Sequence, residues 1–347
     1  MTHTDHLGKF TTLFVSYLLS FFAQKRKGLK NFSPVILEAE NQIERLTLSG
    51  GKRIRPALIY YPYQALSSGP LDSVKNYCLS IEMLHSFALI HDDIMDRGKT
   101  RRANETAIAY FAKKYKDDHL ANSLAILTGD LAFSWADELF SLALTQNKIN
   151  YQRLFNIYAA LKNEVVYGQL MDIKKVKTEK EILQMMQFKT ASYSFEKPLL
   201  LGAVLGGASS LQLKLLSSFG QNIGLAFQIQ DDILGVFGDA QKLGKPVGSD
   251  LKEGKMNLLS IKTLTNLNGV DKKAFLQIWG NPRSNFQDLV FIRDLMKRSG
   301  SLSDCFNFYK KLKTDALKTL FTKTLPKKLT KLLAQLTDEI LILHNIA

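Results

Sequence analysis

The amino-acid sequence predicts an all-α protein, because helix breakers are scarce and apolar residues recur at helical spacing. Only eight of the 347 residues are proline, and none lies within residues 71–197. In that stretch apolar residues recur at intervals of three and four, as at Ile81, Leu84 and Ala88, and the alternating runs typical of strands do not occur. We therefore expect long helices and a single domain over residues 1–347.

Both ends of the chain are predicted to be helical. Residues 10–22 are apolar but shorter than the about 18 residues of a membrane span, so an amphipathic helix within residues 1–30 is favoured over an anchor. Helices are also expected in residues 265–347. There, residues 310–331 carry eight lysines and the single acid Asp315, which is more typical of a solvated helix face than of a membrane or nucleic-acid patch.

Composition and charge narrow the class of protein. Hydrophobic residues make up 46% and charged residues 22%, which excludes a disordered chain, and a mean hydropathy of −0.07 excludes a multi-span membrane protein. The formal net charge of +14 predicts an anionic partner: a nucleic acid, an anionic membrane or a phosphate-bearing substrate. Two cysteines, Cys78 and Cys305, suit a reducing compartment, and we expect a cytoplasmic protein.

The clearest chemical feature is the sequence HDDIMD at residues 91–96. On a helix the carboxylates of Asp92, Asp93 and Asp96 project from one side, where they repel one another. Hard cations between them would remove that repulsion, and Mg²⁺ is usually held by one or two carboxylates, waters and substrate phosphates. An exposed acidic turn is the alternative, but the apolar residues upstream disfavour it. The motif therefore predicts a divalent-cation site.

A second acidic pair, Asp231 and Asp232, ends the sequence FQIQDD, and basic segments accompany both motifs. The basic residues are Lys52, Arg53 and Arg55 in GGKRIRP, Arg97, Lys99, Arg101 and Arg102 after the first motif, and Lys245 and Lys255 after the second. Facing helices can hold several metal ions between carboxylates, while Lys and Arg bind phosphate oxygens. The combination predicts a site for a metal-bridged diphosphate. No GxxxxGKS/T, GxGxxG, HExxH or nucleophile-elbow motif supports another chemistry.

Together these motifs resemble the trans-isoprenyl diphosphate synthases, the polyprenyl synthetase family, and in particular its short-chain geranylgeranyl diphosphate synthases. The resemblance covers about residues 40–260 and includes Gly168, Gln169 and Asp172 between the acidic motifs. It implies one large helical bundle with a central apolar cavity, a homodimer and Mg²⁺ as cofactor, several ions per site, with Mn²⁺ as an alternative. It also implies diphosphate substrates, no nucleic acid and at most peripheral membrane contact.

The resemblance implies a role for each motif residue. The metal ligands on the allylic diphosphate would be Asp92, Asp93, Asp96, Asp231 and Asp232. The cations that contact this diphosphate would be Arg101, Lys189 and Lys245. The residues that bind isopentenyl diphosphate would be Lys52, Arg55, His85, Arg102 and Lys255. The side chains that steady the allylic carbocation would be Thr190 and Gln228.

The sequence departs from the family pattern at two places within the motif region, and the motifs do not cover an N-terminal extension and a lysine-rich C-terminal third. Gly235 stands where a third aspartate would complete the second motif, so coordination there must rest on two carboxylates, with Asp239 as a candidate third. Residues 103–106 read ANET where the family more often has Gly-x-Pro-Thr, which leaves the shape of this segment open.

The predicted reaction is the condensation of isopentenyl diphosphate with dimethylallyl, geranyl or farnesyl diphosphate. Phe87, five residues before Asp92, is followed by the small Ala88. This pair resembles the archaeal-type geranylgeranyl diphosphate synthases, in which a bulky residue upstream of the first motif forms the floor of the product tunnel. It implies a C20 product, with the C15 product of a farnesyl diphosphate synthase as the alternative.

Three other functions are less well supported. A class I terpene cyclase also ionises an allylic diphosphate, but it needs no second diphosphate site, and GGKRIRP with Arg102 counts against it. A non-catalytic partner subunit is expected to lose charged motif residues, and only Gly235 departs at such a position. A nucleic-acid binder is supported by net charge alone, because no known binding module is present.

Overall fold

The computed structural model describes residues 5–145, 150–238 and 248–343, and helix dominates them. The predicted all-α class is confirmed. Internal contacts divide the chain into two compact units: unit 1 comprises Met1–Phe155 and Leu201–Ala208, and unit 2 comprises Asn156–Leu200 and Ser209–Ala347. The single domain over residues 1–347 stays a prediction. None of the helices in the described ranges is both long and apolar enough to cross a membrane.

Unit 1 contains the first acidic motif and the GGKRIRP segment. Its elements are α1 His6–Leu29, α2 Pro34–Leu48, α3 Ile54–Leu66, a 3₁₀ turn Leu71–Val74, α4 Lys75–Met95, strands β1 Thr100–Arg101 and β2 Asn104–Glu105, α5 Ala107–Tyr115 and α6 Asp118–Thr145. Helix α1 buries Leu7, Phe10, Phe14, Leu18 and Phe21, which follow one another at intervals of three and four. The predicted amphipathic N-terminal helix is therefore confirmed.

Helix α4, which carries the first acidic motif, is fixed along α6. The Tyr77 hydroxyl donates a hydrogen bond to the Ala143 carbonyl at 3.1 Å, and the Ser80 hydroxyl donates to the Ala136 carbonyl at 2.8 Å. Both bonds are buried, so breaking them would leave unpaired polar groups in the core. They set the register of the two helices and hold the motif in place.

Unit 2 contains the second acidic motif. Its elements are α7 Tyr151–Lys174, which begins in unit 1, α8 Glu179–Met186, a π-helical segment Gln187–Glu196, α9 Lys197–Leu205, which ends in unit 1, α10 Ser210–Phe237, α11 Ser249–Glu253, α12 Leu258–Asn266, α13 Gly269–Ile278, α14 Phe286–Arg298, α15 Ser301–Leu320 and α16 Lys327–Ile340. The C-terminal helices expected in residues 265–347 are therefore present in the part of that range that the structure describes.

The π-helical segment Gln187–Glu196 is the main irregularity among these helices. Three glycines, Gly168 of α7 and Gly220 and Gly224 of α10, lie directly against its backbone. A Cβ at Gly168 would come within 2.6 Å of the Lys189 backbone nitrogen, so only glycine permits this approach. Such π turns are frequent at functional sites because they redirect side chains that a regular helix would point elsewhere.

Candidate active site

The first acidic motif lies at the C-terminal end of α4. Asp92 is half-buried, Asp93 is 4% exposed and Asp96 is solvent-exposed. Negative charges at a helix C-terminus oppose the helix dipole as well as one another. Fold stability alone does not account for three carboxylates at this position, and the arrangement favours the binding of a cation.

Arg101 lies beside this motif. Its Nε donates a hydrogen bond to Asp93 Oδ1 at 2.8 Å. Burial raises the pKa of Asp93 to about 6 against the opposing effect of Arg101, and the charges of Asp92 and Asp96 add to the rise. The cation predicted to contact the allylic diphosphate is therefore adjacent to a predicted metal ligand.

Arg101 belongs to a β-hairpin that the sequence did not predict, formed by β1 and β2. Arg102 and Ala103 occupy its two turn positions with φ of 50° and 61°, a conformation that non-glycine residues rarely adopt. Thr106, the next residue after β2, donates to the Gly98 carbonyl at 2.7 Å and caps α5. The ANET segment is thus a tight turn closed by Thr106, and it presents both arginines.

Arg102 joins this hairpin to the glycine pair of GGKRIRP. Its guanidinium donates a hydrogen bond to the Gly50 carbonyl. Gly51 has φ of 117°, and a Cβ at this position would lie only 3.0 Å from Arg102 Nη2. The two glycines therefore allow the loop to turn and the arginine to pack against it.

Two of the residues predicted to bind isopentenyl diphosphate, Arg55 and Arg102, lie close to a third, His85. Burial lowers the pKa of His85 well below its ordinary value, and the positive charges of Arg55, Arg102 and Arg101 lower it further. The imidazole is thus uncharged at neutral pH and lies within a cluster of cations. Lys52 is exposed on the GGKRIRP loop. Four of the five residues predicted to bind isopentenyl diphosphate therefore belong to unit 1, and the fifth, Lys255, belongs to unit 2.

Arg53 behaves differently from its neighbours Lys52 and Arg55. It has φ of 50°, is buried, and donates hydrogen bonds to the Glu82 carboxylate and the Thr47 carbonyl. This arginine fixes the start of α3 to α4 and α2. The sequence does not distinguish Arg53 from Lys52 and Arg55, because the direction of its side chain depends on its left-handed backbone conformation.

The second acidic motif occupies the last turns of α10. Asp231 is exposed, whereas Asp232 is 2% exposed and accepts a hydrogen bond from Gln228 Nε2 at 2.8 Å. Gln228 Oε1 in turn accepts from the Thr190 hydroxyl of the π-helical segment. Next to Thr190, Lys189 Nζ lies 2.5 Å from Asp172 Oδ2 of α7. Gln228 thus joins Thr190 to Asp232, and the pair formed by Lys189 and Asp172 begins at the residue next to Thr190.

Asp250 of α11 is a candidate site residue that the sequence analysis missed. Its Oδ2 lies 2.7 Å from the position that a Cβ on residue 235 would occupy, so Gly235 leaves the space into which this carboxylate fits. The negative charge of Asp250 also contributes to raising the pKa of Asp232. Asp250 could have been noticed in the sequence as the only acid of the GKPVGSD segment. Its proximity to α10, however, arises from tertiary packing and cannot be deduced from the sequence. Asp239, the expected substitute, lies outside the described residues.

Lys255 lies among the carboxylates of unit 2. Burial alone would lower its pKa, but the charges of Asp250, Asp232 and Asp172 outweigh burial and raise it. Its predicted contact with isopentenyl diphosphate stays a prediction. Lys245, predicted on the allylic diphosphate, lies outside the described residues.

The donor set fits Mg²⁺. Burial raises the pKa of Asp232 to about 7, against the opposing effects of Lys255 and of the Gln228 hydrogen bond, and Asp232 Oδ2 is buried without a hydrogen-bond partner. An unsatisfied buried carboxylate oxygen is costly unless a cation binds it. Among the described residues no three His, Cys, Asp or Glu side chains form a preformed ligand set. Mg²⁺ does not require one, because waters and substrate phosphates complete its octahedron.

Comparison with known proteins identifies the family. The sequence profile described as "Polyprenyl synthetase" matches residues 38–296, which is most of the chain. The chain belongs to the polyprenyl synthetase family. As a member of this family it is a prenyltransferase of isoprenoid biosynthesis, and the resemblance drawn from its motifs is confirmed.

Relatives within the polyprenyl synthetase family carry different product names. A geranylgeranyl diphosphate synthase of Sulfolobus acidocaldarius is 36% identical over 302 residues, covering 84% of this chain and 88% of that protein. A (2E,6E)-farnesyl diphosphate synthase of Mycobacterium bovis is 30% identical over 259 residues, covering 72% of this chain and 68% of that protein. These names place the chain with short-chain synthases and leave the product length open.

A solved structure of the same family matches the fold. The geranylgeranyl pyrophosphate synthase of Corynebacterium glutamicum, complexed with isoprenyl diphosphate and magnesium, aligns with a TM-score of 0.90 at 28% identity. The alignment covers 97% of this chain and 99% of that one. The isoprenoid synthase type of fold, predicted from the resemblance, is therefore confirmed.

Proposed function

We propose that this prenyltransferase condenses isopentenyl diphosphate with allylic diphosphates to form geranylgeranyl diphosphate, a C20 product. The environment of Phe87 on α4 carries this proposal. Its ring centroid lies 4.6 Å from that of His91 and 4.9 Å from that of Phe133 on α6. These two rings hold the Phe87 side chain in place, between one and two helical turns before Asp92. A ring held in this way can act as a floor, whereas the adjacent Ala88 leaves space. The Sulfolobus relative supports the same product.

The basic cluster of unit 1 binds isopentenyl diphosphate in this proposal. Lys52, Arg55 and Arg102 supply charge and hydrogen bonds to its phosphate oxygens, and the uncharged His85 supplies a further donor. Because Arg53 is engaged with Glu82, it takes no part in this binding. The substrate is thereby oriented for attack through its double bond.

The allylic substrate is activated by stabilising its leaving diphosphate. Magnesium bound by Asp92, Asp93 and Asp96 in unit 1, and by Asp231, Asp232 and Asp250 in unit 2, would supply positive charge to that group. Arg101, Lys189 and Lys245 hold the same diphosphate, and they act most strongly as charge develops during cleavage of the carbon–oxygen bond.

The remaining steps use uncharged groups of this chain. The dipoles of the Thr190 hydroxyl and the Gln228 amide steady the allylic carbocation that cleavage leaves. The double bond of isopentenyl diphosphate then forms the new carbon–carbon bond, and the released diphosphate accepts the proton lost from the adduct. Exclusion of water protects the cation until then.

Product analysis tests the proposal directly. The purified chain is incubated with isopentenyl diphosphate, Mg²⁺ and each of dimethylallyl, geranyl and farnesyl diphosphate, and the dephosphorylated products are separated by chromatography. We expect C20 from the wild type, a longer product from Phe87→Ala and C15 from Ala88→Phe. An unchanged chain length in an active Phe87→Ala variant would place the floor elsewhere, and a C15 product from the wild type would favour a farnesyl diphosphate synthase.

We also propose that the chain forms a homodimer. Helix α6 exposes Ile126, Leu127 and Leu142, and separately α7 exposes Tyr167 and Leu170. Apolar side chains grouped in this way on a helix are typical of an interface rather than of a free surface. Light scattering of the wild type and of Leu127→Lys and Leu170→Lys variants tests this, since both substitutions should shift a dimer to monomer.

A further inference from the structure

The turn between α15 and α16 carries an exposed aromatic ring in a cluster of lysines. The sequence from 318 to 331 contains five lysines and no acidic residue. We name as the lysine tip the exposed residues of this segment, which are Lys318, Phe321, Lys323, Lys327, Lys328 and Lys331. From the tip we propose that the enzyme docks peripherally on anionic phospholipid membranes.

The tip lies within the packed chain and is held by contacts on both sides of its exposed ring, so this ring does not belong to a fraying chain end. Phe321 is 72% exposed, yet the residues on both sides of it are anchored. Thr330 Oγ1 donates to the Leu320 carbonyl at 3.2 Å, and Gln212 Nε2 of α10 donates to the Thr324 carbonyl at 2.9 Å. Leu325 is buried within the turn. The turn thus keeps the Phe321 ring exposed to water. Exposure of this apolar surface is unfavourable, and the stability of the fold does not explain it.

The lysines are also placed where they do not stabilise the helix. Lys327 and Lys328 begin α16, whose first turn contains no acid, and positive charge at a helix N-terminus opposes the helix dipole. Lys331 shares their exposed side one turn later. A bound anionic surface would offset the unfavourable interaction of Lys327 and Lys328 with the helix dipole.

The composition of the tip fits a lipid headgroup layer better than a nucleic acid. No arginine follows Arg298, although arginine provides the bidentate contacts typical of nucleic-acid recognition. A single ring does not form the successive stacking platform that single strands require. Lysines around one apolar anchor are instead typical of segments that bind anionic leaflets. A prenyltransferase docked in this way would release its product, a diphosphate with an apolar chain, beside a bilayer, whatever the length of that chain.

Co-sedimentation of the full chain with vesicles tests the inference. Vesicles of phosphatidylcholine containing about one third phosphatidylserine are compared with pure phosphatidylcholine, at about 0.1 M salt and at several times that concentration. We expect binding to the anionic vesicles alone, weakened by salt. The Lys327→Gln/Lys328→Gln variant should lose about thirtyfold in vesicle affinity, and Phe321→Ser about tenfold.

A matched control separates the tip from the overall positive charge. Lys272→Gln/Lys273→Gln removes two adjacent exposed lysines of α13 in the same unit, and it should keep wild-type vesicle affinity. Turnover of soluble substrates should be unchanged in all these variants, which shows that they fold. The inference is overturned if the wild type does not bind anionic vesicles, if the control loses as much affinity as the tip variant, or if the tip binds duplex nucleic acid in preference to vesicles.

Discussion

The acidic motifs of α4 and α10 each begin with two adjacent aspartates, but the third carboxylate of each motif comes from a different kind of position. At the end of α4 the third carboxylate, Asp96, belongs to the residue that caps the same helix, and it faces solvent. On α10 the position three residues on is Gly235, and a carboxylate from α11, that of Asp250, fills the space beside it. One motif is complete within one helix, whereas the other depends on packing between two helices.

The neighbouring cations differ in the same way. Asp93 is paired with Arg101 from a hairpin that follows α4 within a few residues, and Arg101 remains partly exposed. Asp232 lies in a more buried group with Lys255, Asp250 and Asp172. Charges in unit 1 can thus rearrange with little cost, whereas those of unit 2 depend on one another. Substitutions should reveal this difference.

The largest expected effect is loss of turnover on removal of a ligand from α4. Asp92→Ala should lower kcat by at least about a thousandfold, because charge stabilisation of the leaving group is lost. Thermal unfolding should be unchanged or shifted upward, because one of three repelling carboxylates at a helix C-terminus is removed. Steady-state kinetics measures the change in kcat, and a melting curve measures the change in thermal stability. Appreciable kcat in Asp92→Ala would show that Asp92 is not a metal ligand.

Removal of Lys255 should affect stability as well as activity. Lys255→Ala removes the positive charge near Asp232 and Asp250, while Asp172 keeps its pair with Lys189, and we expect a loss of about 2 kcal/mol in the free energy of unfolding. Mg²⁺ should restore more stability to this variant than to the wild type, because divalent cations replace the missing charge. Arg101→Ala is the matched change at the first motif and should be much less destabilising. Equal losses in the two variants would contradict the contrast between the units.

Diphosphate binding in unit 1 should be separable from metal binding. Lys52→Ala should raise KM for isopentenyl diphosphate by about tenfold through loss of one charged contact, while KM for the allylic substrate stays unchanged. Kinetics with each substrate varied in turn test this. An effect on the allylic substrate alone would mean that the two substrate sites have been exchanged.

The smallest expected effect concerns the hairpin after α4. Ala103 has φ of 61°, which glycine adopts without strain. Ala103→Gly should therefore raise the free energy of unfolding by about 0.5 to 1 kcal/mol, measured as a small rise in Tm. A drop in Tm would show that the turn is not strained by its alanine.

These contrasts also explain how much the sequence could predict. The helical class and the amphipathic α1 follow from spacing within one segment. The shared side of Asp92 and Asp96 is a prediction from the same kind of spacing, and the roles of the other motif residues are predictions from the family resemblance. The pairing of Arg53 with Glu82 depends on a left-handed backbone, and the π-helical segment depends on glycines in two other helices. Asp250 meets α10 only through tertiary packing. None of these three leaves a periodic signal in the sequence.

The contrast between the two acidic motifs is tested most directly by transferring the third carboxylate of unit 2 from residue 250 of α11 to residue 235 of α10. Mg²⁺ binding in the presence of a non-reactive diphosphate analogue is measured by calorimetry for the wild type, Asp250→Ala and Gly235→Asp/Asp250→Ala. We predict that Asp250→Ala weakens Mg²⁺ binding and that the double variant recovers it, because the space left by one carboxylate receives the other. Wild-type binding in Asp250→Ala, or no recovery in a folded double variant, would contradict the account.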